Sequence, residues 1–67
     1  MTTLEVGATI TLKSGKSFLI QRVDSAARLT PLSVIRLNEQ GTPEGAVLGV
    51  TWDVLSKWFG KNGYRFA

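Results

Sequence analysis

The triplet Gly15-Lys16-Ser17 has the residue types that close a phosphate-binding P-loop. That loop needs a second glycine five residues earlier and a helix immediately after. Ile10 stands at the first position, and Ser17 to Val23 reads as a strand. The triplet is therefore a turn. Five carboxylates remain as acid/base candidates: Glu5, Asp24, Glu39, Glu44 and Asp53. No two of them share a helix or strand face at a spacing that would make a catalytic pair. Glu39 and Glu44 share a loop, but they lack the regular oxygen ligands of a calcium loop. The chain has no His and no Cys. Zinc sites, iron–sulfur clusters, haem ligation by His and Cys- or His-based nucleophilic catalysis are excluded with them. The expectation is a non-enzyme without cofactor or metal.

Basic residues form the more informative set. Arg22, Arg36 and Arg65 fall on expected strands, and Lys13 and Lys16 flank the Gly15 turn. If the sheet curls into a barrel, Arg22 and Arg36 share one outer surface that can track a phosphate backbone or meet an acidic partner. Phe18, Trp52, Tyr64 and Phe66 are then candidate stacking platforms for single-stranded bases. Outward Arg and Lys also keep a sheet from pairing at its edges, and aromatic rings are the natural core of a small domain.

The elements that position these residues follow from alternation and punctuation. Ala8 to Leu12 alternates apolar and polar, with Ala8, Ile10 and Leu12 on one face. Lys13-Ser14-Gly15-Lys16 turns the chain into a second strand, Ser17 to Val23, giving a hairpin. Phe18-Leu19-Ile20 makes part of that strand apolar on both faces. Asp24 to Pro31 is a loop. Leu32 to Leu37 is a third strand, with Ile35 and Leu37 assigned to the core face and Val34 and Arg36 to the other. Asn38 to Gly45 is a second loop, and Ala46 to Val50 a fourth strand. Thr51 caps a short helix, Trp52 to Phe59, with Asp53 in its first turn and Lys57 near its end. Gly60 stops it, and Tyr64-Arg65-Phe66 forms a last short strand.

The expected fold is mainly β: a small SH3-like antiparallel barrel or curved sheet, ordered β-β-β-β-short helix-β, in one domain over residues 1–67. The expected core is Ile10, Leu12, Phe18, Ile20, Ile35, Leu37, Leu48, Val50, Leu55, Trp58 and Phe59. Val6-Gly7, the alternation after it, Gly15-Lys16 and Val23 resemble the start of KOW-type and other SH3-like RNA or protein modules. The resemblance spans about a third of the chain. Phe18-Leu19-Ile20 fills the region where a KOW motif has its second glycine.

Composition bounds what such a domain can do. With 67 residues, a chain buries only about 60% of its unfolded surface, so the core is thin. Apolar residues make up 43% and charged ones 19%, which leaves few charges to cover the surface. Net charge is +3 and the isoelectric point is near 9.8, a modest bias toward acidic partners. No apolar run is long enough to cross a bilayer. Met-Thr-Thr-Leu-Glu-Val has neither the basic nor the apolar region of a signal peptide, so the expected location is cytoplasmic.

Size and the lack of a catalytic set resemble the small accessory proteins of phages and mobile elements, including inhibitors of host defence. The functional expectation is a protein-binding accessory or inhibitor protein. The alternative is a nucleic-acid-binding SH3-like module that meets RNA or DNA through its dispersed basic residues. The expected partner is another protein, from a host or a second copy. A homodimer would be held by Leu4 and Val6 at the N-terminus or by Leu32 and Val34 on the third strand.

Overall fold

The computed structural model describes residues 1–67. Six strands and one helix follow in order: β1 Thr2–Leu4, β2 Thr9–Thr11, β3 Ser17–Val23, β4 Leu32–Leu37, β5 Leu48–Val50, α1 Trp52–Phe59 and β6 Tyr64–Phe66. Strands β2-β3-β4-β5 form one antiparallel meander, while β1 and β6 pair in parallel as a separate two-stranded sheet. The four-stranded sheet is open. The expected barrel does not form, because β2 and β5 remain at opposite edges without meeting.

Local chemistry accounts for the elements. Gly15 takes φ +91°, a conformation that L side chains disfavour, and its N–H donates to the Leu12 carbonyl while Leu12 N–H donates to Lys16. That turn sets β2 against β3, with Ile10 opposite Phe18. In β3 an irregularity falls between Ile20 and Arg22. Strict alternation would direct Arg22 to the same side as Phe18 and Ile20. The extra residue, Gln21, instead sets Arg22 opposite Ser33 and brings Val23 back to the buried side opposite Leu32. The bulge thus avoids burying an unpaired guanidinium.

At the start of α1 the Thr51 hydroxyl accepts from the Val54 N–H at 3.2 Å. Trp52 Nε1 donates to the Ala27 carbonyl at 2.9 Å and ties the Asp24–Pro31 loop to the helix. Past the helix, a Cβ on Gly63 would overlap the Phe59 carbonyl, so only glycine lets the chain turn there into β6.

The buried cluster is Leu4, Ile10, Phe18, Ile20, Leu32, Val34, Val50 and Leu55. It lies on one face of the sheet, called here the inner face, beneath α1 and the β1–β6 pair. Trp58 stacks on Phe18 with ring centroids 5.3 Å apart, and Trp52, Phe59, Tyr64 and Phe66 pack around the margin.

Three core assignments are corrected: Ile35, Leu37 and Leu48. Leu32 and Val34, expected at the surface, are wholly buried, whereas Ile35 and Leu37 point to the opposite face. The register explains this: Val34 sits opposite Ile20 and Leu32 opposite Val23, both inner positions. Leu48, expected in the core, is 49% exposed, because β5 is an edge strand of the sheet and no further strand pairs beyond it.

Candidate functional site

The five basic residues singled out in the sequence do not form one surface. Arg22 lies on the outer side, opposite Ser33, and makes an exposed ion pair with Asp24 at 3.6 Å. Arg36 is opposite Phe18 and so points to the inner side, at the far end of the sheet. The shared Arg22–Arg36 surface is therefore corrected: the bulge reverses the face of one and not the other. Arg65 lies on β6, where its Nε donates to Thr3 Oγ1 at 3.1 Å.

Lys16 and Arg36 do come together. They line an open cleft of about 870 Å³ with Ser17, Asn38, Glu39 and Glu44. Two cations and two carboxylates leave that cleft without a net sign. Beside it, Lys13 and Lys57 border a shallower hollow floored by Trp58. Lys57 was not expected there, and it is paired with Asp53 at 3.3 Å, one helical turn earlier. No three or more acidic residues gather into a group that could hold a metal ion. Phe18 is 7% exposed beneath Trp58 and offers no platform for a base.

Of the four apolar contact residues expected, three are corrected. Leu4, Leu32 and Val34 are fully buried in the core, so reaching them requires opening the fold. Only Val6 is exposed.

A half-buried apolar cluster lies elsewhere, on the outer face of the four-stranded sheet. Cross-strand partners share a face. Thr9 stands opposite Leu19, and Leu19 opposite Ile35; Thr11 stands opposite Ser17, and Ser17 opposite Leu37. Leu19, Ile35 and Leu37 thus sit together, bordered by Thr9, Thr11, Ser17 and Ser33. The Thr11 and Ser17 hydroxyls bond at 3.1 Å along that border. None of the three apolar residues packs against the core. Every element outside the sheet is engaged on the inner side: β1 through Leu4, α1 through Leu55, and β6 through Tyr64 and Phe66.

No family model, curated protein or solved structure matches this chain.

A second apolar surface adjoins the β5 edge. Val47 and Leu48 are exposed there, and Leu29 is 77% exposed in the neighbouring loop. Its chain neighbour Thr30 has a methyl group 3.1 Å from where a Cβ on Gly49 would stand, which places that loop against β5. The signal for the outer face was present in the sequence as Phe18-Leu19-Ile20, a run apolar on both sides. The signal for the edge was the pair Val47-Leu48 in a stretch without charge. No helix of the chain is long and apolar enough to cross a membrane.

Proposed function

We propose that this chain is a non-catalytic binding module whose partner is another protein, seated on the outer face of the sheet. It would work by occupying a surface, as an accessory or inhibitor protein of the phage or mobile-element type. The observation that carries this reading is the half-buried cluster Leu19, Ile35 and Leu37 on the face of the sheet away from the core. An apolar centre with a hydroxyl-bearing rim is the usual anatomy of a protein–protein contact. The centre holds no charge; Arg22 lies beyond it, toward Ser33. The four-stranded meander followed by a short helix and a last strand is the part of the architecture that accompanies an SH3-like reading, with β1 added before it and the sheet left open.

Nucleic-acid binding is the second reading, favoured by one arrangement: Lys13 and Lys57 border the half-buried Trp58 ring. A ring between ammonium groups can stack a base and hold its phosphate. Against it, Asp53 already holds Lys57, and Glu39 and Glu44 offset Lys16 and Arg36 in the next cleft.

The two readings separate in a capture experiment with the intact chain, run with and without nuclease at low and high salt. A protein partner is retained in all four conditions, and Ile35→Glu weakens it by about 2 kcal/mol or more, roughly thirtyfold. A partner lost with nuclease, or steeply with salt, and indifferent to Ile35→Glu would reject the protein reading in favour of the Lys13 hollow.

A further inference from the structure

We propose that a second copy of this chain adds to the free edge of β5, antiparallel about a two-fold axis near Leu48. The two four-stranded sheets would then join into one continuous sheet. The contact is made through the β5 backbone edge and the inner-face Leu48, and it is read from the chain alone, so it does not depend on what the outer face binds.

The two edges of the sheet differ in how they are guarded. The β2 edge runs into Lys13, with Lys16 across the turn. Lysines at an edge discourage strand addition, and a two-fold axis would bring each toward its own counterpart. The β5 edge has no such guard. From Gly45 through Trp52 there is no charged residue and no proline. In a two-fold contact like meets like, so an uncharged edge is the one that can pair with itself without repulsion.

Exposure points to the same edge. Five large apolar side chains are exposed: Met1, Val6, Leu29, Val47 and Leu48. The last three adjoin β5, in the strand, beside it, or in the loop that Thr30 holds against Gly49. Leu48 is opposite Val34 and so belongs to the inner face, yet it stays half exposed because the chain supplies nothing beyond β5. A second copy supplies the missing neighbour, its own Leu48. Directly opposed residues in an antiparallel pair have Cβ atoms about 4.5–5.5 Å apart.

Size sets the strength. The three residues of β5 span only about 10 Å, too short a strand to supply by itself the roughly 800 Å² per partner of a stable complex. Val47 and Leu29 must extend the contact, and the dimer is expected to form at micromolar concentration.

The chain has no cysteine, so a single introduced thiol reports one contact without background. Leu48→Cys should cross-link to a covalent dimer under mild oxidation. Thr9→Cys, on the opposite edge, should not. Sedimentation equilibrium of the unaltered chain should give twice the 7.3 kDa monomer mass at high micromolar concentration. Val47→Lys should weaken association roughly tenfold or more while leaving the circular dichroism spectrum unchanged. A monomer mass throughout overturns the proposal. So does equal cross-linking at Thr9→Cys, or a dimer indifferent to Val47→Lys, since each would place the contact elsewhere. None of these results touches the Ile35→Glu test of the outer face.

Discussion

Phe18 and Leu19 are neighbours in one strand, both large and apolar, and their surroundings are opposite. Phe18 lies beneath Trp58 in the core; Leu19 sits on the outer face beside Ile35. The same contrast recurs in β4, where Val34 is wholly buried and Ile35 is not. Residue type does not separate the two faces. What separates them is where the rest of the chain goes: α1, β1 and β6 all pack on one side. A chain of 67 residues has one helix and two spare strands, enough to cover a single face. The inner face is therefore the centre of the core, and the outer face is the one that α1, β1 and β6 leave without a packed layer.

The sharpest way to break that comparison is to remove a methylene-rich side chain from the inner face. Ile20→Ala should cost about 2–5 kcal/mol, the range for truncating a buried Ile to Ala. Net stability for so small a domain lies near the low end of roughly 5–15 kcal/mol. The variant should thus be largely unfolded, as read from its urea midpoint. A midpoint close to that of the unaltered chain would mean that the inner face is not the centre of stability.

A smaller effect should follow from loosening the cover itself. Thr51→Ala removes the hydroxyl that accepts from Val54 N–H at the start of α1. The loss should be about 1 kcal/mol. It should appear as a lower urea midpoint and as faster amide exchange at the first turn of the helix, with β3 and β4 protected as before. Equal loss of protection in the sheet would instead mean that the helix and the inner face unfold as one unit.

Local signals carried much of this fold. The bounds of β3, β4, α1 and β6 follow from alternation, the Thr51 cap and the Gly60 stop. The outer ends of β2 and β5 were shorter than their alternation suggested, each by two residues. What local signals could not carry was long-range pairing. Strand β1 is three residues long and exists because Thr2–Leu4 meets Tyr64–Phe66 at the other end of the chain. Nothing within Met1 to Glu5 announces that partner. The faces of β4 were ambiguous for a related reason: Leu32, Val34, Ile35 and Leu37 give apolar residues at both parities. Long-range register settles it: Val34 falls opposite Ile20, so Leu32 and Val34 are the buried parity, while the Gln21 bulge in β3 resets the face of Arg22 and Val23. The same bulge undid the shared Arg22–Arg36 surface. The outer apolar site was legible only as a strand with two apolar faces, since its location depends on which face the helix covers.

The smallest expected effect on stability is the most direct test of the comparison. Ile35→Thr keeps a β-branched side chain, which suits a strand, and replaces a methyl-bearing branch with a hydroxyl. Ile35 is half-buried and does not pack against the core, and its cross-strand partner Leu19 lies on the same outer face. At a half-buried position the new hydroxyl is only partly desolvated, so its penalty is smaller than at a core site. The shift in the urea midpoint should therefore correspond to less than about 1 kcal/mol, since the site is half-buried and outside the core. Binding should respond differently. If a partner seats on Leu19, Ile35 and Leu37, the hydroxyl is buried at the centre of an apolar contact and affinity should drop severalfold. Stability unchanged with affinity reduced is the signature of a surface kept apolar for a partner. A stability loss of several kcal/mol would show that the outer face belongs to the core. Unchanged affinity for a captured protein partner would move its seat away from this face.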